Sequence, residues 1–184
     1  MKIKILLVII ILLISFVEPK KVVPYNYPVF KQCDPRWASN VMGKNGDTIC
    51  QVGCLMSSTS MAINGHSIKI DGKNSDPETL NAWLRANDGY DDGSDLKENV
   101  IPQIAPSKIS WVGRADSLTR EQVIEKLKSH KDIVIANVMN GRHFVLVVGY
   151  DDSDDSFYYV NDPGFTRSTY KASDIVGWRL FTME

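Results

Sequence analysis

The change of hydrophobic period near residue 131 constrains this chain most. Beyond it, Ile133–Met139, Phe144–Tyr150, Phe157–Val160 and Trp178–Thr182 are β-branched and aromatic runs separated by turn-rich segments. Before it, apolar residues follow helical spacing between start and stop signals. A short helix is expected over Cys54–Asn64, with Gly65 as a left-handed stop. A second opens at Asp76-Pro77, carries Leu80, Trp83 and Leu84 on one face, and ends at Gly89. A weaker helix is expected near Asp95–Ile101, and a short strand over Ile109–Val112. The strongest start is the capping box Thr119/Gln122, flanked by the Leu118–Val123 staple. Helices first and adjacent strands later predict an α+β fold, an antiparallel sheet packed on the early helices.

A chain of 184 residues suits one domain. With 43% hydrophobic and 23% charged residues, disordered and collagen-like classes are excluded. The net charge of −1 is spread without long like-charged runs, so no nucleic-acid partner is expected. Lys2 and Lys4 precede an apolar run from Ile5 to Val17, too short for a hydrocarbon core of ~30 Å. Residues 1–17 therefore read as a secretory signal peptide, with an uncleaved anchor as the competing reading. Residues 18–30, holding Pro19, Pro24 and Pro28, read as an extended lead-in packed down by Tyr25 and Tyr27. Residues 31–184 form the single expected domain. It is expected to be secreted or lumenal, off the membrane once the signal is removed, in an oxidising compartment.

Cys54 follows Gly53 at the first turn of a helix, where unpaired amide N–H groups favour a thiolate. The plainer alternative is a small buried hydrophobe. Of the three histidines, His66 and His130 sit at helix ends, which accounts for them. His143 differs: it heads a strand just after the polar turn Asn140-Gly141-Arg142. Asp162, in Asn161-Asp162-Pro163-Gly164, follows the next strand. A hairpin centred on residue 153 puts His143 opposite residue 163, within side-chain reach of Asp162. A thiol, an imidazole base and an orienting carboxylate form an activated-nucleophile triad. The oxyanion needs donors: the Cys54 amide is one, and the side chain of Gln32 or Gln51 offers another.

Five stretches then carry a resemblance. They are Lys31-Gln-Cys-Asp-Pro-Arg-Trp37-Ala, Asp47-Thr-Ile-Cys-Gln-Val-Gly-Cys54, Leu80-Asn-Ala-Trp-Leu84, Gly141-Arg-His-Phe-Val-Leu-Val-Val-Gly-Tyr150-Asp and Val160-Asn-Asp-Pro-Gly164. In this order the chain resembles the family 39-like cysteine peptidases of the papain superfamily, in their stand-alone form. The resemblance implies a papain-like fold, Cys54 as nucleophile, His143 as acid/base, Asp162 as orienter and Gln32 as the oxyanion glutamine. It implies a peptide or protein substrate and no cofactor. Trp37, Trp83, Trp111 and Trp178 are expected to pack the core or wall the groove rather than react.

Two other classes compete: a papain-like binding module without turnover, and a cysteine amidase acting on a non-peptide amide. A zinc site from Cys33, Cys50, Cys54 and a histidine lacks the usual two close pairs. A calcium loop at Asp151–Asp155 lacks the glycine and glutamate such loops need. A nucleophile held in a disulfide cannot work, so Cys33 and Cys50 are expected to bond to each other and leave Cys54 free.

Overall fold

The computed structural model describes residues 20–184; the expected signal peptide over residues 1–17 lies outside the described residues. The elements are β1 (Lys21–Val22), α1 (Ile49–Val52), α2 (Cys54–Gly65), β2 (Lys69–Ile70), β3 (Lys73–Asn74), α3 (Pro77–Ala86) and β4 (Ile109–Ala115). After them come α4 (Arg120–Ser129), β5 (Asp132–Val138), β6 (His143–Asp151), β7 (Phe157–Asn161), β8 (Thr169–Lys171) and β9 (Gly177–Met183). Seven strands form one antiparallel sheet in the order β4-β9-β5-β6-β7-β8, with β1 added on β6 where β5 has ended. The α+β expectation holds, with each late apolar run as a strand.

Those runs read as nearly continuous because the sheet is covered on both faces. On one face Ile133, Ile135, Leu146 and Phe181 meet Met56, Met61 and Ile63 of α2. On the other, Val134, Ala136, Val145 and Val147 meet Val123 and Leu127 of α4. Each buried Val, Leu, Ile, Phe or Met side chain here contributes about 1.5–3 kcal/mol, so the central strands are fixed from both sides. Helix α4 starts as its sequence demands: Gln122 N–H donates to Thr119 Oγ1 at 3.3 Å, and Thr119 N–H to Gln122 Oε1 at 2.8 Å. Asp76 caps α3 by accepting from Thr79 N–H at 2.7 Å.

Four local expectations are corrected. Gly65 ends α2 without positive φ; Ser67 is the left-handed residue, at φ 56°. The glycine is needed because a Cβ there would come within 2.4 Å of the Tyr27 ring. Helix α3 stops at Ala86, and Asp88 (φ 53°), not Gly89, turns the chain. The weak third helix is a 3₁₀ helix, Glu98–Ile104, that runs through Pro102. The β6–β7 pairing is Leu146↔Asn161, shifting by one residue past Val147, so the hairpin is not centred on residue 153.

The lead-in is fastened along its length. Val22 pairs with Tyr150, the Tyr25 hydroxyl donates to Gly65 O at 2.6 Å, and Asn161 Nδ2 donates to Tyr27 O at 3.0 Å. Among the described residues, no helix is long and apolar enough to cross a membrane.

Candidate active site

Cys54 is the first residue of α2, with Gly53 as the preceding cap. Just ahead, α1 makes one turn that the glycine-rich sequence hid. Thr48 N–H and its hydroxyl both donate to Gln51 Oε1, at 2.9 and 3.0 Å. Gly53 N–H then closes on Ile49 O at 2.8 Å, and a Cβ on Gly53 would lie 2.5 Å from that oxygen. This tight joint sets Cys54 at a helix start, where amide N–H groups have no intrahelical acceptor. Cys54 is half-buried and is the free cysteine, because Cys33 and Cys50 are disulfide-bonded. With those two sulfurs bonded to each other, the competing zinc ligand set is not available.

His143 begins β6, after the turn in which Met139, Asn140 and Gly141 all take positive φ. Its Nε2 lies 2.8 Å from Asp162 Oδ1, and both residues are buried. An ionised carboxylate only accepts, so Nε2 carries the proton and Nδ1 is the nitrogen left for Cys54. Asp162 Oδ1 also accepts from the N–H groups of Gly164 (2.8 Å) and Phe165 (2.9 Å). Tyr170 donates its hydroxyl to Oδ2 at 2.8 Å. Sequence reasoning missed Tyr170; it belongs to a three-residue strand too short to leave a pattern. Despite the corrected register, the Asp162-Pro163-Gly164 turn still brings the carboxylate to the imidazole.

Burial alone would push His143 down. The hydrogen bond to Asp162 and the neighbouring Cys54 sulfur outweigh it and raise the imidazole to about 9. Burial pushes the Asp162 carboxyl up, but the His143, Phe165 and Tyr170 hydrogen bonds hold it below the usual carboxylate range. The Asp162 carboxylate therefore favours the protonated imidazole.

The two glutamines separate. Both line the groove, but Gln51 is exposed and uses its carbonyl oxygen on α1, whereas Gln32 is 8% exposed and anchored beside the aspartate turn. Gln32 N–H donates to Pro163 O at 2.9 Å, and its Nε2 donates to Cys50 O at 2.7 Å. An amide nitrogen carries two hydrogens, so one donor remains. Gln32 Oε1 is buried without a partner, close to Gly164. Lys31 Nζ adds bonds to Asp162 O and Phe165 O, both at 2.5 Å, clamping the lead-in to the aspartate turn.

His66 and His130 stand apart from this cluster, as expected. His66 shares a 3.1 Å hydrogen bond with the Tyr27 hydroxyl and stacks on Tyr25, while His130 caps α4 at φ 59°. Trp37 is a core residue, 1% exposed, its indole N–H donating to Lys31 O at 2.8 Å. Asp151 holds its own turn by accepting from Ser153 N–H at 2.9 Å and Ser153 Oγ at 2.6 Å.

Cys54 and His143 open onto a groove of about 690 Å³, within the usual ~300–1,000 Å³ of ligand clefts. Val52, Met139 and Phe165 are exposed apolar residues along it. A cysteine at the start of a helix, set against a histidine on an antiparallel sheet, defines the class: a papain-like protein related to the cysteine peptidases. The chain belongs to the Peptidase_C39 like family, whose model matches residues 25–181. Searches of curated proteins and of solved structures find no match.

Proposed function

We propose that the protein is a cysteine hydrolase that cuts peptide bonds through Cys54, His143 and Asp162. The single observation that carries this reading is the 2.8 Å contact between buried Asp162 and His143, beside the free thiol on the groove. Cys54 Sγ attacks the scissile carbonyl, and the imidazolium of His143 protonates the leaving amine through Nδ1. Water, deprotonated by the same nitrogen, then releases the acyl group and the free thiol. Asp162 keeps the proton of Nε2 in place throughout. The Cys54 amide and the remaining N–H of Gln32 Nε2 hold the oxyanion. No cofactor enters this sequence.

The Cys33–Cys50 disulfide supports action in an oxidising compartment, as a secreted or lumenal enzyme. The test is hydrolysis of a mixed peptide library by the purified protein beside Cys54→Ala. Cleavage by the wild type alone is the expected result. Equal cleavage by Cys54→Ala, or none by the wild type, overturns the reading.

A further inference from the structure

Along the same groove, Arg114 and Arg179 stand directly opposite each other across β4 and β9. Like charges in that position destabilise a sheet. Glu98, 4% exposed, bridges them: it accepts from Arg114 Nη2 at 2.7 Å, Arg114 Nε at 3.1 Å and Arg179 Nε at 2.6 Å. One carboxylate offsets one guanidinium, so the trio keeps a positive charge. It also keeps donors. Arg179 Nη1 donates to Trp178 O at 3.2 Å and the guanidinium lies over the Phe144 ring, 4.9 Å from its centre. Its Nη2 and the Nη1 of Arg114 meet no acceptor among the described residues. The two side chains are 15% and 62% exposed, so the first is held rigidly and the second faces water.

Asp95 lies on the same groove and feels Arg114 without hydrogen-bonding to it. Being exposed, it is screened by solvent and competes weakly. Two guanidiniums, each with a free nitrogen and both held by one buried acid, match a carboxylate in charge and can each offer it a donor.

We propose that Arg114 and Arg179 form a subsite for a carboxylate of the bound peptide, so that acidic peptides are preferred. That the ligand is a peptide rests on the function proposed above; the arginine pair rests on its own geometry. The carboxylate comes either from an Asp or Glu side chain or from a free C-terminus.

The test is binding to full-length Cys54→Ala, which removes turnover, read by fluorescence anisotropy. The probes are short blocked peptides differing only in one Glu or Gln, moved along the sequence, and a pair ending in free acid or amide. In at least one register the acid is expected to bind about tenfold more tightly, about 1.4 kcal/mol. Added Arg114→Gln or Arg179→Gln, each still able to donate to Glu98, should cut that preference below about threefold, and salt should weaken it. Asp95→Asn, a surface change, should increase it. The Glu/Gln arm against the acid/amide arm assigns the source of the carboxylate. Equal binding of acid and amide in every register overturns the proposal, as does a preference that survives both arginine substitutions. A chain that prefers acidic peptides but never cuts them supports the subsite and counts against the peptidase.

Discussion

Gly164 is glycine because of its neighbour: a Cβ there would lie 2.8 Å from His143 Cε1. Gly164→Ala should displace the imidazole and lower kcat/KM on the order of 10²-fold, with little loss of melting temperature. An unchanged kcat/KM would mean the ring does not need its present position. Asp162 gives a sharper contrast. Its Oδ1 already takes two backbone N–H groups, so an asparagine must put its oxygen there and its amide toward Tyr170. The hydroxyl of Tyr170 can accept as well as donate. Asp162→Asn thus keeps the acceptor for His143 Nε2 and should stay within about a hundredfold of wild-type kcat, whereas Asp162→Ala should fall about 10³-fold or more. Equal losses would show that charge, not orientation, is what His143 needs.

At the scale of elements, the disulfide joins the segment holding Gln32 to α1, across a sequence separation of 17. Loop-closure entropy assigns it about 3 kcal/mol. Replacing both Cys33 and Cys50 by Ser should lower the denaturant midpoint accordingly and slow turnover, because Gln32 hangs from Cys50 O. A double variant of unchanged stability would refute that role. Much of this was legible beforehand. The Thr119 capping box, the Asp76-Pro77 start and the late apolar runs each carry strong local signals, and the structure follows them. Cys54 was legible through its helix start and His143 through its strand end. What the sequence hid were features that local pattern does not encode. Helix α1 is one turn long among glycines, Tyr170 acts from a three-residue strand, and the pairing shift past Val147 leaves no local pattern. Arg114 and Arg179 lie far apart in sequence and meet only through the β4–β9 register.

For the whole molecule, the ion pairs tie folding to pH. His143 is raised in the fold from 6.5 to about 9, so its contribution is complete below about pH 6.5 and is lost as pH rises through about 9. Asp162 is lowered, so its contribution is present above the ordinary carboxylate range and is lost as pH falls through its folded value. The wild type should therefore lose melting temperature near pH 9 relative to His143→Ala; parallel curves through that range would contradict the shift. The central claim is that His143 activates Cys54, and alkylation of the native protein reads this directly. Iodoacetamide labelling, followed by mass mapping at pH 7, should modify Cys54 at least about tenfold faster in the wild type than in His143→Ala, because an imidazolium partner adds to the helix-start amides in favouring the thiolate. Equal rates in the two proteins would contradict the account.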